Sequence, residues 1–173
     1  AVTNGNLVLL PKAKAKGNKA AQFQIQLAEA SGFDVALTYR IRSVAHPELV
    51  LGNGDSGENN ARIVGEKVDK QNRGQYWNIK MLDLKRRVVE NAFYTQNFDD
   101  GGNAQIPGPL QWPAADGVWN NAQFVFEPVK GQKQTYIIRS AGKKADKMYA
   151  LQNGKLTVAP YNAANREAWF TFE

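Results

Sequence analysis

The sequence predicts an all-β fold in which one small unit occurs three times, because a closing segment, an opening segment and a turn all recur at a fixed period. The closing segments share an aromatic anchor at Trp77, Phe124 and Phe170. The anchors are separated by 47 and 46 residues (124 − 77 and 170 − 124). Self-similarity at such a period is the signature of a repeat architecture and outranks any local pattern.

The opening segments recur at nearly the same period. Tyr39-Arg40-Ile41-Arg42-Ser43 and Tyr136-Ile137-Ile138-Arg139-Ser140 share the pattern Tyr-x-Ile-Arg-Ser, and Arg87-Val88-Val89-Glu90-Asn91 lies between them. The spacings are 48 and 49 residues (87 − 39 and 136 − 87). β-Branched, aromatic and long polar residues in five positions are typical of a short strand that packs on one face.

Turn residues separate the opening and closing segments of each unit. The clusters are Gly52-Asn53-Gly54-Asp55, Asp99-Asp100-Gly101-Gly102-Asn103 and Gln152-Asn153-Gly154-Lys155. Asn-Gly supplies the positive φ angles of tight hairpins at little steric cost. Each unit is therefore predicted to contain about four strands, and three such units predict a closed body with pseudo-threefold symmetry.

This organisation resembles the β-trefoil superfamily, and within it the ricin-B-like lectins and the cysteine-free trefoil proteins of fungi. Besides the period and the openings, Gln75-Tyr76-Trp77 fits the Gln-x-Trp signature of ricin-type repeats, which is intact only once. The resemblance covers about residues 38 to 173 and implies one domain over 1–173, with repeats at 38–80, 81–127 and 128–173. We expect the three aromatic anchors to fill the barrel core.

Residues 1 to 37 form an extension that mirrors the second half of the last unit. Asn4-Gly5-Asn6-Leu7 matches Asn153-Gly154-Lys155-Leu156, and the alternation of Phe23, Ile25 and Leu27 with glutamines predicts a strand. We expect this half-unit to pack as an extra N-terminal β-hairpin. Two alternatives stay open, namely a permuted closure and a swapped edge that would produce a homodimer.

Composition bounds the remaining properties of the chain. A length of 173 residues is sufficient for one domain with its own core. The absence of cysteine removes disulfides and thiolate metal sites, and it fits either a cytoplasmic or a secreted protein. No apolar run reaches the length of a membrane span, and no signal peptide is visible in the sequence. Because the sequence starts with Ala1 and not with methionine, we expect that the chain is trimmed at this position. Localisation therefore stays open.

A net charge of +6 raises the question of polyanion binding. The basic stretches are Lys12, Lys14, Lys16 and Lys19, and then Lys85-Arg86-Arg87. Because the first stretch alternates with small residues and contains no aromatic ring, it offers attraction without a stacking platform. A solvated loop is the expected structure, and weak nonspecific binding is the alternative.

The sequence offers little for catalysis or for cofactors. His46 is the only histidine, and a triad built on it would have to come from one short loop without a nucleophile elbow. Asp99 and Asp100 are adjacent turn residues, and their carboxylates are expected to diverge. No phosphate loop, zinc-ligand spacing or dinucleotide fingerprint is present. We therefore expect a binding protein with no cofactor, rather than an enzyme.

The lectin resemblance implies a shallow glycan site in each unit, formed by an acid from the first hairpin, an aromatic near the third strand and an amide before the Gln-x-Trp position. The matching residues are Asp55, Asn72 and Gln75 in the first unit, Asp99, Trp112 and Asn120 in the second, and Asp146, Tyr161 and Asn165 in the third. The first unit lacks an obvious aromatic, so the other two are the better candidates. The rings of Trp112 and Tyr161, beside Pro113 and Pro160, either face solvent or pack against the barrel.

One departure and one alternative accompany the lectin hypothesis. Family sites usually follow a Leu-Asp dipeptide on the second strand, whereas Leu51-Gly52 and Ala150-Leu151 stand here, so galactose specificity is not implied. Fungal trefoil protease inhibitors resemble the chain in length, in lack of cysteine and in Tyr-Arg-Ile-Arg openings. The loops 52–60 and 98–109 could enter a protease cleft, with Lys143-Lys144 or Arg73 directed to a trypsin-like enzyme.

Overall fold

A computed structural model describes residues 2–3, 6–7, 37–100, 109–113, 119–142 and 146–173, the first two ranges for the backbone alone. Strands dominate these residues, which confirms the predicted all-β class. The strands are β1 Val2–Thr3, β2 Asn6–Leu7, β3 Thr38–Tyr39, β4 Ile41–Ser43, β5 Leu49–Gly52, β6 Val64–Lys67, β7 Trp77–Met81, β8 Arg86–Asn91, β9 Gln96–Asp99, β10 Leu110–Pro113, β11 Phe124–Pro128, β12 Thr135–Ser140, β13 Lys147–Gln152, β14 Lys155–Pro160 and β15 Trp169–Phe172.

Six chain segments form a closed antiparallel barrel. β3 pairs with β7, β7 with β8, β8 with β11, β11 with β12, β12 with β15, and β15 with β4. β3 and β4 act as one strand across Arg40, since the Arg40 N–H donates to the Glu173 carbonyl at 2.8 Å and the Glu173 N–H returns the bond at 3.1 Å. The circuit therefore closes and leaves no unpaired barrel edge.

Each repeat adds one hairpin between its two barrel strands. The hairpins are β5–β6, β9–β10 and β13–β14. Each joins the preceding barrel strand through an equivalent pair, Arg42 with Val50, Glu90 with Asn97, and Arg139 with Met148. The barrel partners are 48 and 49 residues apart (90 − 42 and 139 − 90), so the structure confirms the period seen in the opening segments.

A short 3-10 turn precedes every aromatic anchor. The turns are Arg73–Gln75, Asn120–Ala122 and Arg166–Ala168, and each begins four residues before its anchor. Trp77, Phe124 and Phe170 are completely buried, as predicted. The Trp77 indole N–H donates to the Leu51 carbonyl at 2.9 Å. This bond satisfies the one polar group of the buried ring, a group that Phe124 and Phe170 do not have.

The aromatic core extends from the barrel into the hairpins. Phe98 lies 4.9 Å from Phe124 and 5.2 Å from Tyr149 between ring centroids. Ile41, Val89 and Ile138, the central residues of the three openings, are also completely buried. Truncation of a buried ring to alanine typically costs about 3–5 kcal/mol, so these residues hold the three repeats together.

A polar residue ends the first strand of every repeat and fixes the turn that follows. The Ser43 hydroxyl accepts from the His46 N–H at 3.1 Å, and the Ser140 hydroxyl accepts from the Gly142 N–H at 3.4 Å. The equivalent Asn91 accepts from the N–H groups of Phe93 and Tyr94, both at 3.0 Å. These caps set the direction in which each hairpin leaves the barrel.

At the N-terminus, β1 and β2 pair antiparallel, Val2 with Leu7 and Thr3 with Asn6, which confirms the extra hairpin. The predicted strand around Phe23, Ile25 and Leu27 lies outside the described residues, as do the lysines from Lys12 to Lys19. Within the ranges given above, no helix is long and apolar enough to cross a membrane.

Candidate functional site

The polar residues predicted in the first repeat gather around the 3-10 turn Arg73–Gln75. One carboxylate oxygen of Asp55, Oδ1, accepts from the N–H groups of Arg73 at 2.9 Å and Gly74 at 3.2 Å. Asn72 is the N-cap of the same turn, and its side chain accepts from the Gly74 N–H at 2.8 Å. The structure therefore brings Asp55 and Asn72 together, as the sequence predicted.

Aromatic rings reach this cluster from the second repeat. The Tyr94 hydroxyl donates to Asp55 Oδ1 at 2.8 Å, and this bond raises the pKa of the Tyr94 phenol. Phe93 is 55% exposed, and the Arg73 guanidinium lies 5.8 Å from its ring centroid. The sequence search missed both rings because it looked for an aromatic only within the first unit. Their position in the turn after β8 becomes relevant only once the barrel closes.

Glu66 is a second residue that the sequence analysis missed. Its carboxylate accepts from the Gly54 N–H at 2.6 Å, from Asn72 Nδ2 at 2.8 Å and from Gln75 Nε2 at 3.0 Å. It lies directly over Gly52, where an added Cβ atom would overlap its carboxylate. The acid that is absent from the second strand at Leu51-Gly52 is thus supplied by the facing strand, β6.

In the second repeat, strand register places Asp99 at the position equivalent to Gly52. Asp99 is only 4% exposed, and Asn121 Nδ2 donates to its carboxylate at 2.8 Å. Asn120 is exposed, and its side-chain oxygen accepts from Gln123 Nε2 at 3.4 Å. The residue brought to Asp99 is therefore Asn121, next in sequence to the predicted Asn120.

Trp112 shares a face of the second hairpin with Asp99. Leu110 pairs with Asp99, and Trp112, two residues later in β10, pairs with Asn97. Because side chains alternate along a strand, Trp112 and Asp99 project to the same side of the hairpin. Trp112 is half-buried, so it retains some ring surface for contact with a ligand.

The third repeat has no acid at the equivalent position, which Ala150 occupies. Asp146 is exposed and forms an ion pair with Lys147 at 3.0 Å, which lowers the pKa of the Asp146 carboxyl. The Asp146 carbonyl accepts from the Tyr161 N–H at 3.0 Å. Asn165 caps the turn Arg166–Ala168 by accepting from the Glu167 N–H at 3.1 Å.

The Tyr161 ring lies over a charged pair rather than over Asn165. Its hydroxyl donates to the Glu127 carboxylate, and the Arg139 guanidinium lies 4.4 Å from the ring centroid. Arg139 also donates to Glu127 at 2.8 Å. Burial alone would raise the pKa of the Glu127 carboxyl, but the bonds from Tyr161 and Arg139 outweigh it and lower the pKa. Tyr161 as a whole is 38% exposed.

The residues considered for catalysis and for protease inhibition are placed as follows. His46 lies in the turn that Ser43 caps and contributes its backbone N–H to that bond, and no group of three or more potential metal ligands occurs in the described part of the chain. In the loop 52–60, Asn53 Nδ2 and Gln111 Nε2 both donate to the Ser56 carbonyl, at 3.0 and 2.7 Å, and hold the loop against β10. Lys143 and Lys144 lie outside the described residues.

Comparison with known proteins identifies the fold. No protein-family model matches the sequence, and no curated protein matches it. Among solved structures, the BEL β-trefoil is similar over 82% of this chain and 94% of its own, with a TM-score of 0.67 and 13% identity. A Polyporus squamosus lectin, bound to the human-type influenza-binding epitope Neu5Aca2-6Galb1-4GlcNAc, matches 81% of this chain and 49% of its own, with a TM-score of 0.64 and 19% identity. SeviL, bound to asialo-GM1 saccharide, matches 79% and 95%, with a TM-score of 0.58 and 10% identity. The chain therefore has the β-trefoil fold, and its structural neighbours include lectins.

Proposed function

We propose that this protein binds glycans without catalysing a reaction, and that the first repeat carries its principal site. The single observation that supports this most directly is the bond from the Tyr94 hydroxyl to Asp55. It places an aromatic ring beside an exposed carboxylate, and a sugar requires both, since its ring faces are apolar and its edges carry hydroxyls.

The first-repeat site has free capacity for a ligand. Asp55 Oδ1 accepts all three bonds described above, and no described residue donates to Oδ2. Arg73 is exposed and makes no ion pair within the described ranges, so its guanidinium is available to donate to hydroxyls. Phe93 presents an exposed ring for stacking. Asn72 contributes chiefly by fixing the 3-10 turn that carries Arg73.

The second and third repeats are proposed as subsidiary sites. In the second, Trp112 would stack on the sugar and Asn121 would donate to it, while the buried Asp99 orients the Asn121 amide. In the third, Tyr161 would stack, with Asp146 and Asn165 at its sides. In the third repeat the carboxylate that Tyr161 contacts, Glu127, is already paired with Arg139, and in the second the carboxylate of Asp99 is buried. We therefore expect both to bind more weakly than the first.

A glycan array with matched variants tests the proposal. We expect a signal that falls about five- to thirtyfold in Phe93→Ala and in Asp55→Asn, since each removes about 1–2 kcal/mol of contact energy. Leu84→Ala is the control, because Leu84 is also exposed but lies in the β7–β8 turn, outside all three sites. Trp112→Ala and Tyr161→Ala report on the other two repeats. A signal that is insensitive to both first-repeat variants would refute this site.

Protease inhibition is the second candidate, and the fixed loop 52–60 favours it. A loop already held by Asn53 and Gln111 loses little entropy on entering a cleft. Inhibition assays with papain and trypsin separate the two functions. A blank glycan array together with nanomolar inhibition would assign the protein to the inhibitors.

A further inference from the structure

The barrel has one end at which the repeats are joined, and this end carries none of the proposed glycan sites. Because neighbouring barrel strands are antiparallel, the β7–β8 turn, the β11–β12 turn and the start of β3 beside the end of β15 all lie at this end. The hairpins leave from the opposite ends of the same strands. We refer to the residues 37, 80–86, 129–134 and 173 as the junction face.

The junction face is unusually apolar for an exposed surface. Leu84, at the tip of the β7–β8 turn, is 81% exposed, and Leu37 is 53% exposed. Met81 and Leu82 are exposed beside them. These four make up half of the eight large apolar side chains that are exposed in the described parts of the chain. Clustering of this kind marks an interaction surface, whereas single exposed leucines do not.

The same face has an excess of positive charge. Its carboxylates are matched, since Asp83 pairs with Arg86 at 2.6 Å, Glu173 with Arg42 at 2.5 Å, and the neighbouring Glu90 with Lys80 at 2.6 Å. Three exposed lysines make no ion pair with a described residue, namely Lys85, Lys130 and Lys133. A partner that covers this face must therefore offer both an apolar phase and negative charge.

The β7–β8 turn is held in one conformation. Asp83 Oδ1 accepts from the N–H groups of Lys85 at 2.9 Å and Arg86 at 2.8 Å, and these bonds hold the pKa of the Asp83 carboxyl at about 2. The Leu82 N–H donates to the Arg86 carbonyl at 3.0 Å. Arg87, the last residue of the basic stretch Lys85-Arg86-Arg87, is buried and donates to the Asp83 carbonyl at 2.8 Å. The turn thus presents Leu84 outward without needing to be ordered by a partner.

We propose that the junction face binds the surface of an anionic lipid bilayer. Leu82 and Leu84 enter the headgroup region, and Lys85, Lys130 and Lys133 pair with lipid phosphate and carboxylate groups. Basic residues around a small apolar projection are the combination that gives reversible binding at a membrane surface. The binding is peripheral and uses the folded barrel as a rigid base.

Two other partners fit the observations less well. A protease cleft binds an extended segment through its backbone N–H groups, whereas those of Lys85 and Arg86 are occupied by Asp83 within a closed turn. A nucleic acid or other linear polyanion would use the lysines but would leave Leu82, Leu84 and Leu37 exposed to water. Of these three partners, a bilayer surface is the one that uses both components of the face.

Sedimentation with glycan-free vesicles tests the inference with the intact chain. The vesicles contain phosphatidylcholine alone or with about a third phosphatidylserine. We expect at least tenfold stronger binding to the anionic vesicles. Leu84→Ser, which removes the apolar side chain without changing the charge, should weaken binding at least tenfold, and Lys130→Gln and Lys133→Gln should each weaken it about fivefold. Trp119→Ala is the control for an exposed apolar residue elsewhere, and thermal unfolding confirms that the variants fold.

Three results would overturn the inference. The first is no binding to anionic vesicles. The second is binding that Leu84→Ser leaves unchanged, which would indicate attraction between charges alone. The third is trypsin inhibition that Leu84→Ser abolishes in place of vesicle binding. Because the vesicles carry no sugar, failure here leaves the glycan proposal standing, and a blank glycan array leaves this inference standing.

Discussion

Replacement of Gly52 by alanine tests whether the Glu66 carboxylate depends on the empty space above β5. The new Cβ atom would overlap the carboxylate and displace it. Displacement breaks three hydrogen bonds, from Gly54, Asn72 and Gln75. With a net value of about 1 kcal/mol for each bond at a half-buried site, Gly52→Ala should lower the free energy of unfolding by about 2–3 kcal/mol.

The double variant makes this test specific. Glu66→Ala loses the same three bonds and should cost about 2 kcal/mol, since Gln75 Nε2 still donates to the Lys67 carbonyl at 2.8 Å. The three atoms nearest to the added Cβ all belong to the Glu66 carboxylate, so once it is gone the double variant should cost about as much as Glu66→Ala alone. The expected coupling energy is therefore about 2 kcal/mol.

Urea unfolding followed by tryptophan fluorescence measures all four proteins of this cycle. Equal slopes of the unfolding free energy against urea would show that the denatured states are comparable. If the two single effects add to within about 0.5 kcal/mol, the sites are independent and the account of Glu66 is refuted. Leu49→Ala, in the same strand but with its side chain packed on the hydrophobic core, controls for a general weakening of the hairpin.

Three further predictions follow from the equivalence of the repeats and from the C-terminal ion pair. Trp119 is at the position from which Asn72 and Asn165 cap the other two 3-10 turns, but it makes no side-chain cap bond. Trp119→Asn should therefore raise the free energy of unfolding by about 0.5–1 kcal/mol. No change in urea unfolding would contradict the threefold register. Asn91→Ala removes four hydrogen bonds from a buried site, those to Phe93, Tyr94, Arg73 and Gly74. It should lower the free energy of unfolding by about 2–4 kcal/mol. A loss below about 1 kcal/mol in urea unfolding would show that the turn forms without its cap. The bond from Arg42 lowers the pKa of the Glu173 carboxyl below its ordinary 4.5. The stability that this ion pair contributes is therefore present above pH 4.5 and is lost as the pH falls through the lowered pKa. Glu173→Gln should lessen the acid dependence of the melting temperature, and an unaltered dependence would exclude this pair as its source.

The fold could be predicted from the sequence because the residues that recur at a fixed period are buried in every repeat. Trp77, Phe124 and Phe170 are large, rare and equally placed, and the openings around Ile41, Val89 and Ile138 repeat with them. Core positions tolerate few residue types, so symmetry in the structure persists as similarity in the chain. The extra N-terminal hairpin followed from the same comparison of half-units.

The polar residues of the site were harder to predict from the sequence, because side chains from different strands and turns come together there. Glu66 lies 14 residues after Gly52 (66 − 52), and its side chain reaches Gly52 from the neighbouring strand β6. A motif of consecutive residues cannot show such a contact. Asn121 rather than Asn120 meets Asp99 because the 3-10 turn decides which of two adjacent amides faces inward. Tyr94 reaches Asp55 only through barrel closure. Polar groups can exchange roles between strands as long as the hydrogen bonds are satisfied, so the repeats diverged there most.

The contact between Tyr94 and Asp55 makes the first repeat incomplete on its own. An excised copy of residues 38–80 would keep the acid and the amide but would lack the ring that completes them. Any attempt to build a symmetric protein by copying this unit would have to include the turn at 91–95 with each copy. The smallest portable recognition unit of this chain therefore straddles a repeat boundary.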